Sequence, residues 1–403
     1  MTLPRLRDNL KFEIVEQDKE KFFVLIDPEG YAMQPLAFPL DLMPLIQYLN
    51  EEHTIDDLNC SFMTKSGEPA QMESIIELVH FLDQNCYLDT PRFQEVKEGL
   101  DEYINSDVRP SVCAGNSFSN DAEELKVELD EILSATNGES IPGDAKAIAL
   151  PHIDFRIGKG AHSCYAKGYE AIKETDADLF VVFGTAHYGN TDNFMFTRKN
   201  FVTPLGVAET DQEFLDKLLL KQPGLITFDD ITHRYEHSIE FQILLLQHVF
   251  AGRKFKVLPI LTGSLNAFFH GTENPEKDEI YSKVIDSINE IIEEDRRKVV
   301  FLASGDLAHI GKKFEDPFDA APELNRLKKD DKLLIDSLAE CNHNEFYRSV
   351  ASINDKNKIC GLGPIYAMLS VSKPKSGKFL HYHQWNEIET RSAVSFASFA
   401  YYD

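Results

Sequence analysis

Three apolar runs in this chain each stop on a polar residue able to bind a metal: KAIALPH at His152, DLFVVFGTAH at His187, and VVFLASGDLAH at Asp306 and His309. Runs of Val, Ile, Leu, Phe and Ala of this length, bounded by Gly or Pro, fit parallel strands buried on both faces. In open α/β sheets, ligands sit outside the carboxyl ends of such strands, where the loops open a crevice. Histidines at several strand ends can therefore converge on one site. Imidazole and carboxylate are both ligands for first-row metals.

Length and charge bound what surrounds that sheet. A chain of 403 residues is longer than one typical domain core, so two domains are expected. A formal charge of -26, from 41 Lys and Arg against 67 Asp and Glu, repels phosphate backbones and anionic membranes. Nucleic acid and membrane are excluded as expected partners, and no apolar stretch approaches the roughly 20 residues needed to span a bilayer. The six cysteines form no CxxC pair and no secretory leader is read, which points to a reducing, cytoplasmic setting.

Residues 1–95 read as a small module of their own. KFFVLIDPEGYAM suggests two short strands about the turn Asp27-Pro28-Glu29-Gly30, followed by three helical stripes and a short strand near Cys86 to Leu88. Thr54 with Asp57 three residues later reads as a helix cap. The expected unit is a winged-helix-like α+β domain, whose acidic helices argue for a protein or peptide partner over DNA; a purely structural appendage stands as the alternative. Residues 96–108 read as a connector. From 109 to 403, apolar runs alternate with helical segments at 160–173, 211–220, 236–250, 279–295 and 323–340, which predicts an α/β domain with a central mixed sheet flanked by helices. Asp121 and Glu124 sign the capped helix that opens this domain.

Each candidate site residue has an ordinary structural reading beside the functional one. His152 and His187 are ligand candidates by position, with Gly184 and Gly189 permitting a tight turn at the second. If the chain turns helically after Ser304, Asp306 and His309 share a face, and Asp306 then ligates, orients a histidine or caps a helix. EHSIEFQILLLQHVF is expected to open an amphipathic helix with His237 and Glu240 near its positive end, where His237 serves as a neutral acid/base group or a surface cap. Cys360 in ICGLGP precedes an apolar helix, a position that lowers a thiol pKa, although most isolated cysteines are inert core residues. GxSxG, Walker, HExxH and GxGxxG motifs are absent from the sequence.

Taken in order, RPSVCAGNSF, DAEELKVELDEIL, ALPHIDFRIG, FGTAHYG, EHSIEFQ, SGDLAHIG and ICGLGP make residues 109–403 resemble the MEMO family. HIDF and GTAH look closest to its bacterial branch, AmmeMemoRadiSam system protein B. The resemblance implies a class III extradiol dioxygenase-like fold and one transition metal ion held by His152, His187 and Cys360, with His237, Asp306 and His309 as catalytic groups. Iron is the metal expected, with copper or zinc as alternatives. The implied activity is a non-haem, redox-active one on an unknown small-molecule or peptide substrate. A cysteine where those dioxygenases carry a glutamate counts against ring cleavage. A zinc-dependent hydrolase and a non-catalytic metal- or peptide-binding partner of a radical-SAM protein remain alternative readings, and whether chemistry occurs at all stays open. The N-terminal module resembles PqqD-like peptide-recognition domains. The branch name implies radical-SAM and AMMECR-type protein partners.

Overall fold

The computed structural model describes residues 2–403 apart from 18–19, 33–34, 67–71, 137, 139, 189–191 and 272–273. The chain divides into two compact units, Met1–Ser106 and Asp107–Asp403.

In the first unit an antiparallel sheet is formed by Lys11–Gln17, Glu20–Ile26 and Leu36–Pro39. The strand expected directly after Gly30 begins instead at Leu36, and Lys11–Gln17 adds a strand that the alternation around Phe22 to Ile26 did not announce. The cause is the Asp27 carboxylate, which accepts the Glu29 and Ala32 N–H groups at 3.0 and 2.7 Å and holds residues 27–32 as a loop. Buried Arg7 clamps the same carboxylate at 2.8 and 2.9 Å while lying over the rings of Tyr31 and Phe93. Thr54 and Asp57 bond reciprocally at the start of helix Ile55–Ser66. Helix Pro91–Asn105, capped by Thr90, buries Phe93, Leu100 and Tyr103 within this unit.

The second unit is built on a mixed sheet that, among the described residues, has nine strands. At its centre Lys256–Thr262, Leu179–Thr185, Val299–Ser304 and Ala147–Leu150 lie side by side and parallel. Antiparallel Ser392–Tyr402 extends it beside Ala147–Leu150 and pairs in turn with Ser376–Glu387 and His309–Gly311. The apolar runs are continuous because both faces are covered. Leu179, Val181 and Phe183 enter one core layer with helices Glu279–Glu294 and Leu362–Ser372, while Phe180 and Val182 enter the other with Lys159–Glu170 and Glu240–Val249. This is the expected sheet flanked by helices. Asp121 caps helix Ala122–Leu133 by accepting the Glu123 and Glu124 N–H groups.

Register positions the site. Ser304 lies opposite both Leu150 and Gly184, so three adjacent parallel strands finish level. His152, His187 and Asp306 each stand two residues beyond the end of their strand.

Candidate metal centre

The level strand ends bring the sequence-predicted residues together. His152, His187 and Cys360 place one donor atom each within 4.8 Å of one another, and so do Asp306, His309 and Cys360. The Cys360 thiol lies 3.4 Å from His152 Nε2. His237 faces the same space, its ring centroid 5.2 Å from that of His152 and 4.9 Å from that of His187. A crevice of about 860 Å³ opens over His152, His187, His237, Asp306 and His309, walled by Phe241, Phe314, Trp385 and the Asp154–Arg156 pair. Cys360 borders a separate cavity of about 190 Å³.

The imidazoles share one mode of attachment. His152 Nδ1 is 3.1 Å from the Ser304 carbonyl, His309 Nδ1 is 3.0 Å from the Lys358 carbonyl, and His187 Nδ1 is 3.0 Å from a Glu236 oxygen. Partners that only accept require the ring proton on Nδ1, which leaves Nε2 with a free lone pair. Ligand histidines are held in this way.

Three local expectations are corrected. The chain does not turn helically after Ser304: His309 opens the strand His309–Gly311, so Asp306 caps no helix and instead accepts the His152 N–H at 3.0 Å. The reason is a close backbone approach, since a Cβ on Gly305 would lie 2.3 Å from Gly361 Cα. The helix expected from residue 236 begins at Glu240, leaving His237 in the break after helix Asp230–Tyr235, and its side chains through Leu246 are buried, so it is not amphipathic. Cys360 stands before helix Leu362–Ser372, yet burial and the nearby Asp306 push its thiol pKa well up. Gly184 does permit a close approach, since a Cβ there would meet Ser238 and Ile239 at 2.6 Å; Gly189 lies outside the described residues.

Electrostatics separate the groups. Burial drives the His152 pKa well below its ordinary value and lifts Asp306 to about 7, so their 3.7 Å contact is not a strong ion pair. Burial also lowers His309, to about 4, and His237. At His187 burial is again the largest single influence, but the Glu236 hydrogen bond together with the charges of Glu236 and Asp306 outweighs it and the pKa rises. Glu236 is buried as well, yet His187 holds it below the carboxylate range.

A family model described as Memo-like protein matches residues 109–400. The chain belongs to this Memo-like family. A MEMO1 family protein of Aquifex aeolicus is 29% identical over 94% of this chain and 96% of its own length, so the likeness reaches into both compact units. MEMO1 family proteins of Methanococcoides burtonii and Methanosarcina mazei are each 30% identical over 67% of this chain and 89% and 88% of their own lengths.

Sequence reasoning missed two groups that hold the candidate site together. Glu236 anchors His187 through both backbone and ring. Arg109, fully buried, pairs with Glu240 and donates to the carbonyls of His233 and Glu236 at 3.1 and 2.6 Å. Glu240 also accepts the Val112 and Cys113 N–H groups at 3.0 and 3.1 Å. Both groups lay inside the quoted segments RPSVCAGNSF and EHSIEFQ, and an arginine and two glutamates in such apolar company were the available signal. Asp154 binds Arg156 and Ser117, as an acid placed beside the crevice can. Among the described residues no helix is long and apolar enough to cross a membrane.

Proposed function

We propose that the crevice is an open metal centre with His152, His187 and Cys360 as ligands, and that this is a non-haem, iron-dependent redox enzyme acting on a small organic molecule. The observation that carries the reading is three donor atoms within 4.8 Å, with the Nδ1 of both rings turned to fixed oxygens. The donor set fits a metal. Bond lengths near 2.1 Å for nitrogen and 2.3 Å for sulfur imply a tetrahedral N···S separation of about 3.6 Å, against 3.4 Å between His152 Nε2 and Cys360 Sγ. Bound there, an iron ion would supply electron transfer and Lewis acidity; copper and zinc also suit two imidazoles and a thiolate.

The chain's own groups would do the rest. Asp306 fixes the loop of His152 through its N–H. His237 and His309, largely neutral and with Nε2 unengaged by their anchors, would take up or return a proton at substrate. Phe241, Phe314 and Trp385 would keep water from the reacting atoms. The bacterial AmmeMemoRadiSam system protein B branch, a cytoplasmic setting, and a winged-helix or PqqD-like role for residues 1–95 in docking a radical-SAM or AMMECR-type protein or presenting a peptide belong to the same proposal.

The test is metal content after anaerobic purification, paired with oxygen uptake. Iron in the native protein, lost in His152→Ala, His187→Ala and Cys360→Ala, with oxygen consumed by the loaded form, is the expected result. Unchanged metal in all three variants would overturn the site. Tightly bound zinc without oxygen uptake would replace the redox reading with the hydrolase one.

A further inference from the structure

Glu236 faces two imidazoles of the centre at once. Its Oε1 lies 3.0 Å from His187 Nδ1 and 3.3 Å from His237 Nδ1 and accepts the Ser238 N–H at 3.0 Å. Its Oε2 accepts the His187 backbone N–H at 2.7 Å. The two rings it faces stack at 17° with centroids 4.9 Å apart. Behind it, the Glu236 carbonyl is held by Arg109.

We propose that Glu236 is the positioning residue of the centre, one buried carboxylate that sets both the tautomer and the aim of His187 as a ligand and of His237 as the free base beside it. An ionised carboxylate has no proton to donate, so each neutral ring facing it carries its proton on Nδ1 and presents Nε2 to the crevice. His187, Glu236 and His237 also lie close enough together to be read as a ligand set themselves. Three N–H hydrogen bonds already on the two Glu236 oxygens, with the His237 ring at 3.3 Å beside them, argue against that, because a carboxylate offers about four lone-pair sites. The anchors of His152 and His309 are main-chain carbonyls, which no side-chain substitution removes. Glu236 is a side chain and serves two rings, so it controls the centre in a way that a mutation can expose.

The inference rests on the metal reading in one of its two parts, and the experiment separates them. In the metal-free protein at mildly alkaline pH, long-range ¹H–¹⁵N spectra should show His187 and His237 protonated on Nδ1, and Glu236→Gln, whose amide can donate as well as accept, should shift one or both toward the Nε2-protonated form. An Nε2 proton on either ring of the wild-type protein overturns the proposal, and this measurement needs no variant that folds. Cobalt(II) titration should then show an affinity about 10- to 100-fold lower in Glu236→Gln, the usual effect of removing a ligand's outer partner. Equal affinity in the two proteins would overturn the positioning role. Wild-type protein that binds no cobalt yet shows Nδ1 protons in both rings would sink the metal reading alone and uphold tautomer control by Glu236.

Discussion

Gly305→Ala tests the packing that seats Cys360 against His152. The Gly305 N–H donates to Leu150 O at 2.8 Å, and Gly361 N–H donates to Asp306 O at 2.8 Å, so the loop after Ser304 is pinned between the sheet and the segment carrying the thiol. A methyl at 305 would stand 2.3 Å from Gly361 Cα, whereas ordinary contact starts at 3.4 Å; the two backbones must part by the difference, about 1.1 Å. Neither neighbour is the end of a flexible side chain, so the strain has no cheap outlet. Overpacking of this kind costs about 1–3 kcal/mol. Where the strain is relieved by swinging residue 360 away from His152, the same energy appears as a loss of metal affinity, about 5- to 150-fold at 1.4 kcal/mol per factor of ten. Where it is not relieved, it appears as a Tm lowered by about 2–4 °C per kcal/mol. The assay is thermal melting of the metal-free protein together with cobalt titration followed by the thiolate charge-transfer band. Gly271→Ala, whose Cβ would meet nothing nearer than 4.0 Å, is the control. Wild-type Tm and wild-type cobalt affinity in Gly305→Ala would refute the reasoning.

Arg109→Met should destabilise the second unit by about 3–5 kcal/mol, because it leaves Glu240 buried without its cation; urea unfolding checks this, and a loss below about 1 kcal/mol would contradict it. Arg109→Lys should not restore stability, since one ammonium cannot reach Glu240 and two carbonyls in the fork geometry of a guanidinium. Asp331, whose pKa burial lifts from 3.8 to about 6, binds its proton more tightly folded than unfolded. Its contribution is therefore present below 3.8 and lost as pH rises through about 6, roughly 3 kcal/mol in all. Asp331→Asn keeps an acceptor for the Tyr382 hydroxyl, so its Tm relative to wild type should improve from about pH 4 to pH 8, and a gap independent of pH would refute the assignment. Trp385, the single tryptophan, lines the crevice, so cobalt should quench its emission in wild type and not in His152→Ala.

Much of the fold was legible because it rests on local periodicity. The runs ending before His152, His187 and Asp306 are strands of the predicted kind, and the last two runs pair antiparallel along Ser376–Glu387 and Ser392–Tyr402. The Asp121 cap was equally readable, since its partners are two and three residues away. Convergence of the strand ends was another matter. It depends on Ser304 standing opposite Leu150 and Gly184, and register between strands about 150 and 120 residues apart in sequence leaves no mark in any of them.

The residues that escaped sequence reasoning show what decided the site. Helical spacing paired His237 with Glu240 as neighbours on one face, which would have aimed both at the crevice. The chain breaks at 236–239 instead, so Glu240 turns to Arg109, 131 residues away, and Glu236 turns to His187, 49 residues away. That break is where the side chains have most to satisfy. Arg109 holds the His233 and Glu236 carbonyls, and Ser238 bonds through N–H to Glu236 and through its hydroxyl to the Thr185 carbonyl at 2.8 Å. A regular helix through these positions would have tied the 233 and 236 carbonyls into its own ladder and left Arg109 and Glu236 buried without partners, at a cost of several kcal/mol. The metal-capable residues stood out because strand ends expose them. The acidic and basic groups that aim them are visible only once the strands are level, because their partners are set by the sheet and not by the neighbouring residues in the chain.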